Sequence, residues 1–285
     1  MSRRILYRIT LRRFCRKKTE LGIIMERLKN IKCFLLDMDG TFYLGDRLLE
    51  GSLDFIRALE ERGISYLFLT NNSSKSADHY IQKLHRMELD TKNVLTSGQA
   101  TAMYINEHYK GVPTFLLGND ILKEEMIRMG VNVVEEGAEL VCIGYDTSFT
   151  YKKMCTFCDY LREGKPYIAT HPDFNCPVDS KTGFEPDIGA IIAYAKAATG
   201  REPMEIIGKP NAQIVRAALE RTGSKAEETC MVGDRLYTDI ATGLNFGMLS
   251  LLVMTGEATY EDLKTTPFKP DIVLERLSKI IKYLD

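Results

Sequence analysis

Two aspartates, Asp37 and Asp39, follow directly on an apolar run in the stretch CFLLDMDGT, residues 33–41. Ionised side chains avoid such positions unless a partner compensates for the lost hydration. Like charges this close repel and raise a pKa unless a cation stands between them. Magnesium suits the vacancy, because it takes oxygen ligands in an octahedron and combines one or two carboxylates with water and substrate phosphate. A third carboxylate is available in MVGDRLYTD, where Asp234 ends a second apolar run and Asp239 follows at the start of an expected helix. Taken alone, an Asp-x-Asp has a plainer explanation, since aspartate is a common turn and helix-cap residue.

The elements that must position these residues follow from hydrophobic period. Short apolar runs alternate with helical stretches, the pattern of a parallel sheet with crossover helices. Strands are expected at Lys32–Asp37, Ser65–Thr70, Thr229–Gly233 and Leu249–Val253, and helices at Ser52–Glu61, Lys75–Met87, Ala212–Arg221 and Leu236–Asn245. Every one of those strands but the last ends in a polar cluster. Ligands of open α/β sheets bind beyond the carboxyl ends of the strands, so these clusters are expected to converge.

Residues 97–205 repeat the alternation, with strands expected at Thr114–Leu117, Leu140–Gly144 and Tyr167–Ala169. That stretch is too long for a loop and has its own apolar content, so it reads as a second α/β domain inserted in the first. The expected division is residues 25–96 and 206–285 as the core, 97–205 as the insertion, and 1–24 as a basic extension.

With LTNNS at residues 69–73 and IIGKP at 206–210, four groups fall in chain order: DMDGT, LTNNS, IIGKP and VGDRLYTD. Together they resemble the motifs of the haloacid dehalogenase superfamily of phosphohydrolases, over residues 32–256. The resemblance implies a Rossmann-like core with a parallel sheet. It implies Asp37 as the nucleophile that attacks phosphorus and carries an aspartyl-phosphate, and Asp39 as the acid and base. Thr70 would bind a phosphoryl oxygen with help from the backbone N–H of Asn71, Asn72 lying in the same turn. Lys209 would neutralise the nucleophile and the phosphoryl group. Magnesium would be held by Asp37, Asp234 and the backbone carbonyl of Asp39, with Asp239 holding a metal-bound water or orienting its neighbours.

Members of this superfamily differ in where a cap domain enters. Here the long separation lies between LTNNS and GKP, which resembles the branch with a large α/β cap that includes p-nitrophenyl, nucleotide and pyridoxal phosphatases. TSGQAT, GYDTSFTY, ATHPDFNCP and AATGREP each look like segments of that branch. Substrate choice is then expected in the cap, with His171, Asp173 and Asn175 in the loop THPDFNCP, and Asp146, contacting the leaving group. A structural loop facing solvent is the competing reading. A homodimer through the cap is a further expectation.

The function expected is a magnesium-dependent phosphatase of small phosphomonoesters: sugar phosphates, nucleoside monophosphates or p-nitrophenyl phosphate. A phosphotransferase or sugar-phosphate mutase would use the same Asp37, and a phospho-accepting regulatory module is the alternative outside enzymes. Asp39 counts against the last, since an acid/base beside the nucleophile serves ester turnover.

Composition bounds the rest. The 285 residues are 45% hydrophobic and 27% charged with a net charge of -1, which gives no global case for nucleic acid or an anionic membrane. No run approaches the length of a membrane-spanning helix. Seven scattered cysteines favour reduced thiols and a cytoplasmic location over a disulfide framework. Cys155 and Cys158 lack a second pair at zinc-ribbon spacing and read as helix packing. The first 19 residues carry eight basic side chains and no acidic one. Residues 1–24 are therefore read three ways: a dispensable or misassigned start, a targeting segment, or a surface-binding arm.

Overall fold

The computed structural model describes residues 26–177 and 183–284, together with Gly22 and Ile24. The expectations for residues 1–21 lie outside the described residues. Six parallel strands form the larger sheet, in the order Ile272–Leu274, Leu249–Val253, Thr229–Gly233, Cys33–Leu36, Ser65–Thr70 and Val94–Thr96. The strand CFLL lies at its centre, with Leu36 opposite Val232 on one side and Phe68 on the other. All four of its side chains are buried, as a strand covered on both faces requires.

Alternation along that strand divides the core. Phe34 and Leu36 pack with Phe55, Phe68 and Val232 on one face, while Cys33 and Leu35 pack with Leu67, Leu69 and Met231 on the other. Helix Ser52–Glu61 covers the first face through Phe55, Ile56 and Leu59, spaced for one helical stripe. Helix Ala77–Arg86 joins it with Tyr80 and Leu84, and begins at Ser76, whose hydroxyl caps the His79 N–H.

A second, four-stranded parallel sheet runs in the order Glu205–Ile206, Tyr167–Ala169, Leu140–Ile143 and Thr114–Leu117. Helices Tyr151–Arg162 and Ile188–Thr199 pack together over one face of it. Helices Ser97–His108 and Asp120–Arg128 lie towards the larger sheet, so that Leu122, Met126, Cys142 and Ile168 share one apolar cluster with Leu35 and Leu69. Helix Ser97–His108 also packs on helix Ala212–Thr222, so the two sheets meet through side chains as well as through the chain.

Strands Val94–Thr96 and Ile272–Leu274 extend the sheet beyond the four expected from sequence. The stretch expected as one helix over Leu236–Asn245 is divided. Leu236–Ile240 is a π-helical turn in which the N–H groups of both Asp239 and Ile240 donate to the Arg235 carbonyl, and a regular helix continues over Ala241–Asn245. Cys155 and Cys158 lie in one helix, Cys158 in the apolar cluster of the smaller sheet, and both are free thiols. Among the described residues no helix is long and apolar enough to cross a membrane.

Candidate active site

Two neighbouring strand ends of the larger sheet converge on one point. Asp37 follows Leu36 and donates its backbone N–H to Val232. Asp234 follows Gly233 on the neighbouring strand, and the π-turn behind it carries Asp239 back towards the same place. Carboxylate oxygens of Asp37, Asp234 and Asp239 all lie within 4.8 Å of one another.

Lys209 enters this group from the segment that returns from the smaller sheet. Its ammonium lies 2.6 Å from Asp37 Oδ1 and 2.7 Å from Asp239 Oδ1, on a side chain only 2% exposed. The Lys209 ammonium thus bridges two of the three carboxylates, and the Arg235 guanidinium is the next cation near them. Burial, with Asp239 and Asp234 nearby, holds the Asp37 carboxyl well above its usual range despite the pull of Lys209. Asp234 is pushed up to about 6, by burial first and by Asp239 second. The same carboxylates hold the Lys209 ammonium above its ordinary value although burial opposes its charge.

These carboxylates fit a hard divalent cation, on the donor set and on the charge they leave uncompensated. They are not equivalent. Both Asp239 oxygens are engaged, Oδ1 by Lys209 and Oδ2 by the Arg235 N–H at 3.1 Å. Asp234 is fixed by the Glu257 N–H at 2.7 Å and by the Thr41 hydroxyl at 3.3 Å. Room for its carboxylate comes from Gly40, whose φ is +83° and where an added Cβ would lie 2.5 Å from Asp234 Oδ2.

Above the cluster opens a cavity of about 260 Å³ whose wall includes Asp37, Asp39, Thr70, Asn71, Asn72 and Lys209. Asp39 sits at its exposed rim. Partial enclosure raises its carboxyl above the usual range, against Lys83 and the Gly45 N–H, which pull it down. The Thr70 oxygen accepts the Asn72 N–H at 3.2 Å, and the Asn72 side chain turns back onto the N–H and hydroxyl of Ser74. Asn71 is buried, and its carboxamide is spent on the backbone of Lys209 and on Asp173.

The loop of the smaller sheet is split. Asp173 and Asn175 lie on the cavity wall. His171 does not face the cavity: it is fully buried, with Nε2 3.0 Å from Asp187 Oδ1 and Nδ1 3.0 Å from the Thr170 hydroxyl. Asp146 is also off the wall. Its carboxylate accepts from Ser148 and from the Lys153 ammonium at 2.8 Å, which shapes its own loop.

Arg235, Lys75 and Lys83 complete the wall and were not singled out from sequence. Arg235 stands directly after Asp234, 3.0 Å from Glu257 and 3.6 Å from Asp173, so its motif position carried the signal. Lys83 reaches the cavity from helix Ala77–Arg86, its ammonium 4.0 Å above the Tyr43 ring, and only three-dimensional packing reveals that.

The chain is similar to known proteins over most of its length. Family models match twice: a haloacid dehalogenase-like hydrolase over residues 34–132 and a HAD-hydrolase-like family over 206–280. An acid sugar phosphatase of Staphylococcus aureus is 36% identical over 261 residues, 90% of this chain and 100% of the relative. The structure of 4-nitrophenylphosphatase from Thermotoga maritima superposes with a TM-score of 0.88 at 45% identity, covering 91% of this chain and 99% of that one. A p-nitrophenyl phosphatase from Archaeoglobus fulgidus gives a TM-score of 0.84 at 29% identity, covering 88% and 98%. The chain therefore belongs to the haloacid dehalogenase superfamily of hydrolases, in the subfamily IIA branch of phosphatases.

Proposed function

We propose that the protein is a magnesium-dependent phosphatase of small phosphomonoesters, phosphorylated sugars and sugar acids among them, acting through an aspartyl-phosphate on Asp37. The observation that carries this reading is the Lys209 ammonium shared between Asp37 and Asp239 beside the buried Asp234.

In the first step an Asp37 oxygen forms a bond to phosphorus as the bond to the leaving oxygen breaks, and Asp39 gives that oxygen its proton. In the second, water attacks phosphorus, Asp39 takes the water's proton and the bond between phosphorus and the Asp37 oxygen breaks. The raised carboxyl of Asp39 suits a group that must alternate between acid and base. Lys209 holds Asp37 in place and balances charge on the phosphoryl oxygens, while Thr70 and the Asn71 N–H bind them. Asp37, Asp234 and the Asp39 carbonyl would hold the magnesium ion, which supplies further neutralisation of phosphoryl charge.

Residues 97–205 are assigned as a specificity cap, because Asp173, Asn175, Tyr145 and Glu185 bring its loops onto the cavity wall. The opposite wall carries Lys75 and Lys83. Lys83 faces the Asp39 carboxylate as well as that of Asp46, which is 3.5 Å away on a fully exposed side chain, and its ammonium on the cavity wall is placed to meet an anionic leaving group. That agrees with relatives named acid sugar phosphatase. The exposed aromatic group Phe149, Tyr151 and Tyr194 marks where a homodimer through the cap would meet. Seven scattered cysteines without a framework spacing support a reducing, cytoplasmic setting.

The test is orthophosphate release from a panel with and without magnesium: p-nitrophenyl phosphate, sugar phosphates, phosphorylated sugar acids and nucleoside monophosphates. Release from none of them would overturn the phosphatase reading.

A further inference from the structure

The Asn71 carboxamide makes an unusual set of contacts for a residue at the mouth of a phosphate site. Its Oδ1 accepts the Lys209 N–H at 2.7 Å, and its Nδ2 donates to the Lys209 carbonyl at 2.9 Å. A neighbouring strand would pair with the N–H and C=O of one residue in this way. The second Nδ2 hydrogen is shared between the two oxygens of Asp173, each at 3.2 Å. The Asn71 carbonyl in turn accepts the Ser97 hydroxyl. Both Nδ2 hydrogens are therefore used and Oδ1 already accepts one bond, so the side chain has no donor free for substrate.

Close approach is built into the backbone. At Gly208 an added Cβ would lie 2.6 Å from Asn71 Oδ1, 2.6 Å from the His171 Cβ and 2.8 Å from the Thr170 carbonyl. Only glycine lets the chain carrying Lys209 pass this near to Asn71. The consequence runs down the lysine side chain, since fixing its backbone fixes the origin from which its ammonium reaches Asp37 and Asp239. The amide also ends on Asp173, a wall residue of the cavity that Arg235 holds on its other side at 3.6 Å.

We infer that Asn71 is a positioning residue coupling the two bodies of the enzyme: its carboxamide sets the backbone of Lys209, and its own orientation is set by the Asp173 carboxylate of the cap loop. The inference rests on the phosphatase reading. A leaving group that engages Asp173 then acts on the lysine serving transfer, without touching it. Such coupling belongs in kcat, because a displaced ammonium weakens charge stabilisation during transfer more than it weakens binding of the ester.

The experiment is a double-mutant cycle on Asn71→Asp and Asp173→Asn, read with p-nitrophenyl phosphate and magnesium, with a melting curve for each variant. Asn71→Ala serves as reference. Asn71→Ala is expected to lower kcat by about 10- to 100-fold with KM changed by less than about 3-fold. Asn71→Asp sets two carboxylates against each other. Exchanging amide and carboxylate in the double variant restores a donor to that pair, and kcat should recover by at least about 5-fold over Asn71→Asp alone. Where Asn71→Asp does not fold, Asn71→Ser replaces it, and Asp173→Asn should then have no further effect on kcat. Effects that multiply independently, or a loss confined to KM, would overturn the coupling. Turnover by the unaltered enzyme checks the phosphatase reading separately, so an active parent with an additive cycle removes this inference alone.

Discussion

Lys209 Nζ lies 2.6 Å from Asp37 Oδ1, and neither side chain has much access to water. Replacing Asp37 with Asn keeps the shape but removes the charge of the proposed nucleophile. Turnover is expected to fall by about 1,000-fold or more. Stability should behave differently. Burial, Asp239 and Asp234 raise the folded-state pKa of Asp37 over the pull of Lys209, so its ionisation at neutral pH opposes folding. In metal-free protein the variant should therefore melt at the same temperature as the parent or higher. A substantially lower melting temperature would show that Asp37 is needed by the fold.

Removing the metal should matter most above the pH at which the cluster ionises. Asp234 is pushed up to about 6 by burial and then by Asp239, whereas the unfolded chain releases that proton near about 4. Without a cation, stability then falls as pH rises from about 4 to about 6 and stays lower above. Magnesium held by the ionised carboxylates should reverse this loss. The difference in melting temperature between magnesium and EDTA should widen across that window. A difference independent of pH would speak against these carboxylates as the ligands.

His171 carries a pH dependence of the same sign in a higher window. Burial disfavours its charged form, but Asp187 at 3.0 Å, with Asp173, more than offsets burial and the opposing charge of Arg235, so its pKa is raised. The stabilisation is fully present below the unfolded value of about 6.5 and is lost as pH rises through the folded one. Asp187→Asn keeps an acceptor for the Ile188 N–H that begins helix Ile188–Thr199 while removing the charge. At acid pH this change should cost about 2 kcal/mol, the scale of a buried charge-assisted hydrogen bond, and the cost should shrink towards pH 8. Melting curves of both proteins over that range decide the matter, and a constant gap would show that the pair is never ionic.

Substrate choice should follow residues on the cavity wall. Asn175→Ala and Lys83→Ala are expected to change the ratio of kcat/KM between a phosphorylated sugar acid and p-nitrophenyl phosphate, Lys83→Ala lowering it by about 5- to 20-fold through loss of one charge contact. His171→Ala should instead destabilise, because that ring is packed behind the wall with both nitrogens bonded. Ratios that stay fixed in both wall variants would move the leaving-group site elsewhere.

The strands that carry DMDGT, LTNNS and VGDRLYTD were legible because they are runs of apolar residues that end in polar ones, and their bounds match to within a residue at each end. Strands Val94–Thr96 and Ile272–Leu274 escaped, being too short to show any period. In THPDFNCP the string of polar residues shows that the loop is functional or structural, but not which side chain points where. His171 turns inward because Asp187 waits for it, and that partner comes from another element. Lys83 is a similar case: it lies on the polar side of an amphipathic helix, and only the Tyr43 ring beneath it marks that side as a cavity wall.

The central strand has a further consequence for how the chain is made. Cys33–Leu36 is synthesised early, yet its neighbour Thr229–Gly233 emerges only near the end, and Asp37 and Lys209 are separated by 172 positions. During translation an apolar strand with one bare edge must therefore wait while the whole smaller sheet folds. Contacts of such high sequence separation slow folding, and in this chain they form the sheet and the site in the same event. Catalytic turnover is accordingly a readout of complete folding, and a ribosome-stalled chain ending before residue 229 should be inert and held by chaperones, with its first strand exposed.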